Sequence, residues 1–242
     1  MTSDDRREIP LIRPGELVYR LVVAVDIESY SKLNTLEQYE VQADLGDVLD
    51  QAATRAELDR ETWDREIRGD GELSVLPADT DVAWVIARLT WELERALSER
   101  KAHGVGRPPL RLRVAMHYGT LTQGRFGPVG QAPIVVSRLL DARIARRALA
   151  ESTKRDLVLI VSANLYHDVV ETGFYGLDAT RFSPVRVTVK GATYCGYLDT
   201  PKPASDQNKV AEGRQEQQYG PHRVTVLAHC PPGRPVPQRR PA

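Results

Sequence analysis

The segment Leu17–Val25, LVYRLVVAV, constrains the fold more than any other stretch of this chain. It is apolar, rich in β-branched residues, and stops at Asp26. Such a run reads as a central strand, buried in a sheet, whose C-terminal end reaches a polar site. With 242 residues the chain has room for one large α/β domain, or for one domain and a tail, and the composition along it favours the second.

Residues 1–14 are charged, contain proline and lack periodicity, so they read as a flexible leader. The domain is expected over residues 15–200. Thr35–Gln38 has the spacing of a capping box, and Leu36, Tyr39, Leu45, Val48 and Leu49 predict a helix to about Leu58. Trp63–Pro77 reads as a β-hairpin turning on Asp70-Gly71, a dipeptide that tolerates positive φ. A second helix is expected over Asp79–Arg100, capped by Asp79 or Thr80, with Trp84 and Trp91 on one face against the core or a partner. Then come a strand at Arg111–His117, a glycine-spaced stretch at Gly119–Gly130, and a helix from about Pro133 to Leu149. A buried strand at Leu157–Ser162, a short helix at Ala163–Val170 and a strand pair at Val185–Val189 and Tyr194–Leu198 complete the domain. This order predicts an α+β fold, a mixed sheet with helices packed over it. Residues 201–242 shift to Pro, Gln, Lys and Arg and read as a largely disordered tail.

Lys and Arg balance Asp and Glu at 33 each, which argues against nucleic acid or an anionic membrane as a charge-driven partner. No apolar stretch is long enough to cross a bilayer and no signal sequence opens the chain, so a cytoplasmic location is expected. Cys195, Cys230 and the five histidines show no metal-ligand spacing.

Two carboxylates carry the chemistry. If the strand ending at Asp26 neighbours the hairpin bearing Asp70, both side chains reach the same end of the sheet. Two hard oxygen ligands there suit Mg²⁺ or Mn²⁺ carried in by a triphosphate. Asp70-Gly71 is also what any tight hairpin uses.

Five segments resemble the class III nucleotidyl cyclases. Val25–Ser31, VDIESYS, resembles their first metal motif, and Ile67–Glu72, IRGDGE, their second. Leu112–Gly119, LRVAMHYG, and Gly130–Leu139, GQAPIVVSRL, resemble the strand and helix of the second half, and Val189-Lys190-Gly191 the last hairpin. The resemblance implies a ferredoxin-like mixed sheet with surrounding helices and a head-to-tail homodimer binding a nucleoside triphosphate between two chains. It implies a two-metal site of Mg²⁺ or Mn²⁺ on Asp26, Ile27 and Asp70. Arg138 is the implied transition-state cation, Lys190 a triphosphate contact, and Glu66 a base-selecting residue whose carboxylate suits guanine N–H donors.

The pattern departs from the family at two positions. Gly127 stands where a second base-selecting side chain is expected, and Ile134 where an Asn orients the ribose. Ile134 and Arg138 share a helix face, so a hydrocarbon replaces a hydrogen-bonding group. Arg143, Arg146 and Arg147 form a solvated or tail-pairing cluster on the same helix. Two functions follow: a phosphorus-oxygen lyase making a cyclic nucleotide, or a nucleotide-binding module without efficient turnover. Either one calls for a separately encoded effector protein.

Overall fold

The structure, a computed structural model, describes residues 15–104, 106–189 and 191–200. The leader at 1–14, Lys190 and the tail at 201–242 lie outside the described residues. The central strand β1 (Val18–Ile27) leads to α1 (Thr35–Arg55) and the hairpin β2 (Asp64–Arg68) and β3 (Gly71–Val75). α2 (Val82–Trp84) passes through a π-helical turn at Val85–Leu89 into α3 (Thr90–His103), which is followed by β4 (Leu112–Gly124). Then come β5 (Gly127–Val129), α4 (Gln131–Leu140), α5 (Arg143–Ala150), β6 (Leu157–Ser162), α6 (Ala163–Asp168), β7 (Phe182–Val189) and β8 (Ala192–Asp199).

The sheet runs β2-β3-β1-β4-β6-β8-β7, with β5 paired to β4 alone. β1 is antiparallel to both β3 and β4, and β4 is parallel to β6. The first half, β1 to β4, is the βαββαβ unit of a ferredoxin-like sheet, and β6, β8 and β7 extend it beyond β4.

β1 looks uniformly apolar because it feeds two cores. Leu21, Val23, Val25 and Ile27 pack with Val41 and Leu45 of α1 and Leu93 and Leu97 of α3. Val22 and Ala24 face the other way, against Val136 and Leu139 of α4 and Leu149 of α5. Each fully buried aliphatic side chain contributes roughly 1.5–3 kcal/mol, so helices on both faces hold the strand in place. Asp26 is in phase with Val22 and Ala24, on the α4 side.

Several boundaries differ from the sequence expectation. The capping box of α1 begins one residue earlier, at Asn34, which accepts from Glu37 N at 3.0 Å while Asn34 N donates to the Glu37 carboxylate at 2.8 Å. α2 is capped by Asp81, not Asp79 or Thr80, through Trp84 N at 3.1 Å. The glycine-spaced stretch at Gly119–Gly130 is mostly strand: β4 runs on to Gly124 and turns back into β5. The helix expected to reach Leu149 breaks at Ala142, where ψ is 127°, so Arg143, Arg146 and Arg147 stand on a different helix from Arg138.

The β2–β3 turn also differs in its cause. Neither Asp70 nor Gly71 has positive φ, so a left-handed turn does not dictate either residue. Gly71 is required by proximity instead: it lies opposite Asp26, and a Cβ there would sit 2.0 Å from the Val25 carbonyl oxygen. Gly71→Ala is expected to force β3 away from β1 and to cost about 1–3 kcal/mol. A lower urea midpoint at unchanged slope would report it.

Candidate active site

Asp26 ends the apolar run of β1 and is 8% exposed. Antiparallel register sets Arg113 of β4 directly across from it. The guanidinium grips the carboxylate as a two-pronged fork, Nε to Oδ1 and Nη2 to Oδ2, both 2.7 Å. Charge-assisted paired contacts of this kind are strong and directional. Even so, burial raises the Asp26 pKa above the usual carboxylate value; Arg113 opposes that shift, while Asp70 and Asp141 add to it.

Asp70 stands exposed on the β2–β3 turn. The turn is fastened to β1 by Ile27 N, which donates to the Asp70 carbonyl at 2.8 Å, and to α1 by Gln42 Nε2, which donates to the Gly69 carbonyl at 2.6 Å. Asp26, Ile27 and Asp70 are thus brought together, the Ile27 side chain being buried in the α1 and α3 core. Among the described residues no group of three or more His, Cys, Asp or Glu side chains is arranged to hold a metal ion. The donor set here is two carboxylates and main-chain oxygens. These hard oxygen donors fit a divalent cation that completes its shell with water and phosphate oxygens, provided the cation competes with the Arg113 fork.

Glu66 and Gly127 also meet. Glu66 pairs with Arg68 Nε at 3.2 Å, and a Cβ on Gly127 would lie 2.8 Å from Glu66 Oε2. Gly127 sits at φ +109°, which L side chains rarely adopt. On α4, Arg138 is half-buried and Ile134 is 42% exposed beside it. No hydrogen bond or ion pair joins Arg138 to Asp26, Asp70 or Glu66 among the described residues, so within one chain it stands apart from the carboxylates. Arg113 and Asp141 were invisible as site residues in the sequence, because only the β1–β4 register and the end of α4 bring them to Asp26.

Four residues along β4 from Arg113, His117 is buried with Nδ1 2.7 Å from Ser162 Oγ. Burial lowers its pKa from 6.5 to about 4.

No family model and no curated protein matches the sequence. Solved structures match the fold. Guanylyl cyclase Cya2 aligns with a TM-score of 0.54 at 18% identity, covering 79% of this chain and 98% of that one. An adenylate/guanylate cyclase/hydrolase from Silicibacter pomeroyi gives 0.55 at 16% identity, covering 78% and 100%. A bacterial light-regulated adenylyl cyclase gives 0.53 at 15% identity, covering 84% and 58%. The chain has the fold of adenylyl and guanylyl cyclase domains, carried by a strongly diverged sequence. No helix among the described residues is long and apolar enough to cross a membrane.

Two measurements probe this end of the sheet. Arg113→Met leaves a buried carboxylate unpaired and is expected to cost about 3–5 kcal/mol, most of it recovered by adding Asp26→Leu, as read by urea denaturation. For His117 the folded pKa lies below the unfolded one, so the unfolded chain binds the extra proton between pH 6.5 and about 4. Stability falls as pH is lowered through that window, by roughly 3 kcal/mol from this group. The raised pKa values of Asp26 and Asp199 act oppositely, their contribution being lost as pH rises. The difference between wild type and His117→Gln across that window isolates the histidine.

Proposed function

We propose that the chain is a nucleotidyl cyclase-type domain that binds a metal–nucleoside triphosphate between two copies of itself and converts it slowly to a 3′,5′-cyclic nucleotide. The observation that supports this most directly is the convergence of Asp26 and Asp70 at one end of β1, on a fold shared with cyclase domains. In the reaction the ribose 3′-oxygen bonds to the α-phosphorus, the bond from that phosphorus to the bridging oxygen breaks, pyrophosphate leaves, and the hydroxyl proton passes to solvent.

Asp26, Asp70 and the Ile27 main chain would hold Mg²⁺ or Mn²⁺, which when bound supplies Lewis-acid charge to the reacting oxygens. Asp26 becomes available as Arg113 gives up one prong of its fork. Glu66 accepts hydrogen bonds from base N–H groups, which inclines the site toward guanine, and the bare Gly127 leaves that choice to Glu66 alone. Arg138 has no partner in its own chain among the described residues and would be supplied across the dimer to the phosphates, with Lys190 as a further triphosphate contact.

A second reading has a specific observation behind it. Ile134 presents hydrocarbon beside Arg138, and loss of one positioned polar contact costs on the order of 10²–10³ in rate. The domain would then bind nucleotide at the same site and report occupancy to a separately encoded effector.

Purified chain incubated with each of the four nucleoside triphosphates and Mn²⁺ separates the two. Cyclic product abolished by Asp26→Ala and by Asp70→Ala, and increased by Ile134→Asn, is the expected result. Mn²⁺-dependent binding without product would select the second reading, and absence of both binding and product would remove both.

A further inference from the structure

β7 closes one side of the sheet, with β8 as its only strand partner among the described residues. Its outer edge therefore presents main-chain N–H and C=O groups that can accept a further strand. Pro184 has no N–H to give, which confines regular pairing on that edge to Val185–Val189.

The sequence contains the core of this edge twice. Arg186–Val189 reads RVTV, and in the tail, outside the described residues, Arg223–Val226 reads RVTV again and continues into Leu227 and Ala228. This β-branched run is the one apolar stretch of a tail otherwise rich in Pro, Gln, Lys and Arg, and its composition suits a strand. Four residues can recur by chance. A covalent link gives this pair its weight.

Cys195 on β8 is half-buried and stands opposite Arg186, the residue at which the repeated motif begins on β7. It is disulfide-bonded, and the chain holds one other cysteine, Cys230, three positions after Leu227. The geometry permits both links at once. Strands lie about 4.8 Å apart, so a strand outside β7 is about 9.6 Å from β8. Three residues of extended chain span about 10 Å, and a disulfide bridges Cα atoms about 4.4–6.8 Å apart. The chain can thus pass from Leu227 over β7 to Cys195. At its other end Thr200 N donates to the Arg181 carbonyl at 2.7 Å, so the tail leaves the fold beside the start of β7. Residues 201–223 are ample to return it to the same edge.

We propose that Val224–Leu227 adds as a further strand to the free edge of β7, and that a reversible Cys195–Cys230 disulfide pins it there. The bond forms when the two thiols give up two protons and two electrons to a disulfide oxidant, which leaves as two thiols. A thiol reductant reverses the exchange and frees the strand. The device uses none of Asp26, Asp70, Glu66 or Arg138 and does not depend on nucleotide turnover.

The full chain, equilibrated either with oxidised glutathione or with a reductant, tests the proposal. Peptide mapping of the oxidised protein is expected to recover Cys195 joined to Cys230 within one chain, and reduction to separate them. Amide hydrogen exchange over Val185–Val189 should be at least about tenfold slower in the oxidised chain than in the reduced one. The double variant Val224→Pro/Val226→Pro keeps both cysteines but cannot pair as a strand, and should lose that protection while retaining the disulfide. Cys230→Ser should behave like the reduced chain under both conditions. These substitutions lie in the tail and leave the sequence of the folded domain intact. Two free thiols after oxidation, a disulfide between two chains, or equal exchange at β7 in the oxidised, reduced and proline-substituted proteins would overturn the proposal.

Discussion

Everything in this domain hangs on a strand that is hydrogen-bonded along both edges and covered on both faces. β1 has β3 and β4 beside it, α1 and α3 on one face, and α4 and α5 on the other. A charge at its end cannot remain solvated, so the neighbouring strand supplies Arg113 to Asp26. A buried ion pair of this kind gives little net stability, because desolvation offsets the attraction, but it fixes where the carboxylate sits. The close approach of β3 at Gly71 then sets the Asp70 turn beside it.

The same economy of charge extends through the α1 side. Asp44, buried in α1, is held by Arg100 and Arg107, each at 2.5 Å from one of its oxygens. Arg60, equally buried, bridges Glu72 at 2.5 Å and Asp50. The balance of 33 basic and 33 acidic residues therefore conceals buried pairing that ties α1 to α3 and to the hairpin. Burial also holds His117 neutral inside the α4 side, where a protonated imidazole would lack a compensating charge.

Much of the architecture was legible because its determinants are local. The apolar run to Asp26, the hairpin around Asp70 and the amphipathic patterns of α1 and α3 each follow from side-chain periodicity. What escaped was set by contacts between distant segments. Arg113 is one alternating residue in a strand until the register with β1 brings it to Asp26. The break between α4 and α5 carries no proline or glycine, and the π-helical turn at Val85–Leu89 leaves the apolar pattern nearly intact. Asn34 and Asp81 do not stand out as caps in the sequence because Thr35, Asp79 and Thr80 are chemically able to do the same work. Asp26 and Asp70 could be paired from the sequence; the contact of Glu66 with Gly127 could not, since it depends on β5 folding back over the sheet.

That last contact bears on how the scaffold can diversify. At φ +109°, a backbone conformation that L side chains rarely adopt, position 127 is strained for any side chain, whereas the Glu66 carboxylate, 2.8 Å from an added Cβ, can swing aside. Descendants of this sequence that explore a different molecular partner in the cleft have an open path through Glu66 and Arg68, which sit on an accessible edge strand. Variation should accordingly accumulate on β2 while residue 127 stays fixed, an evolutionary asymmetry imposed by one backbone angle.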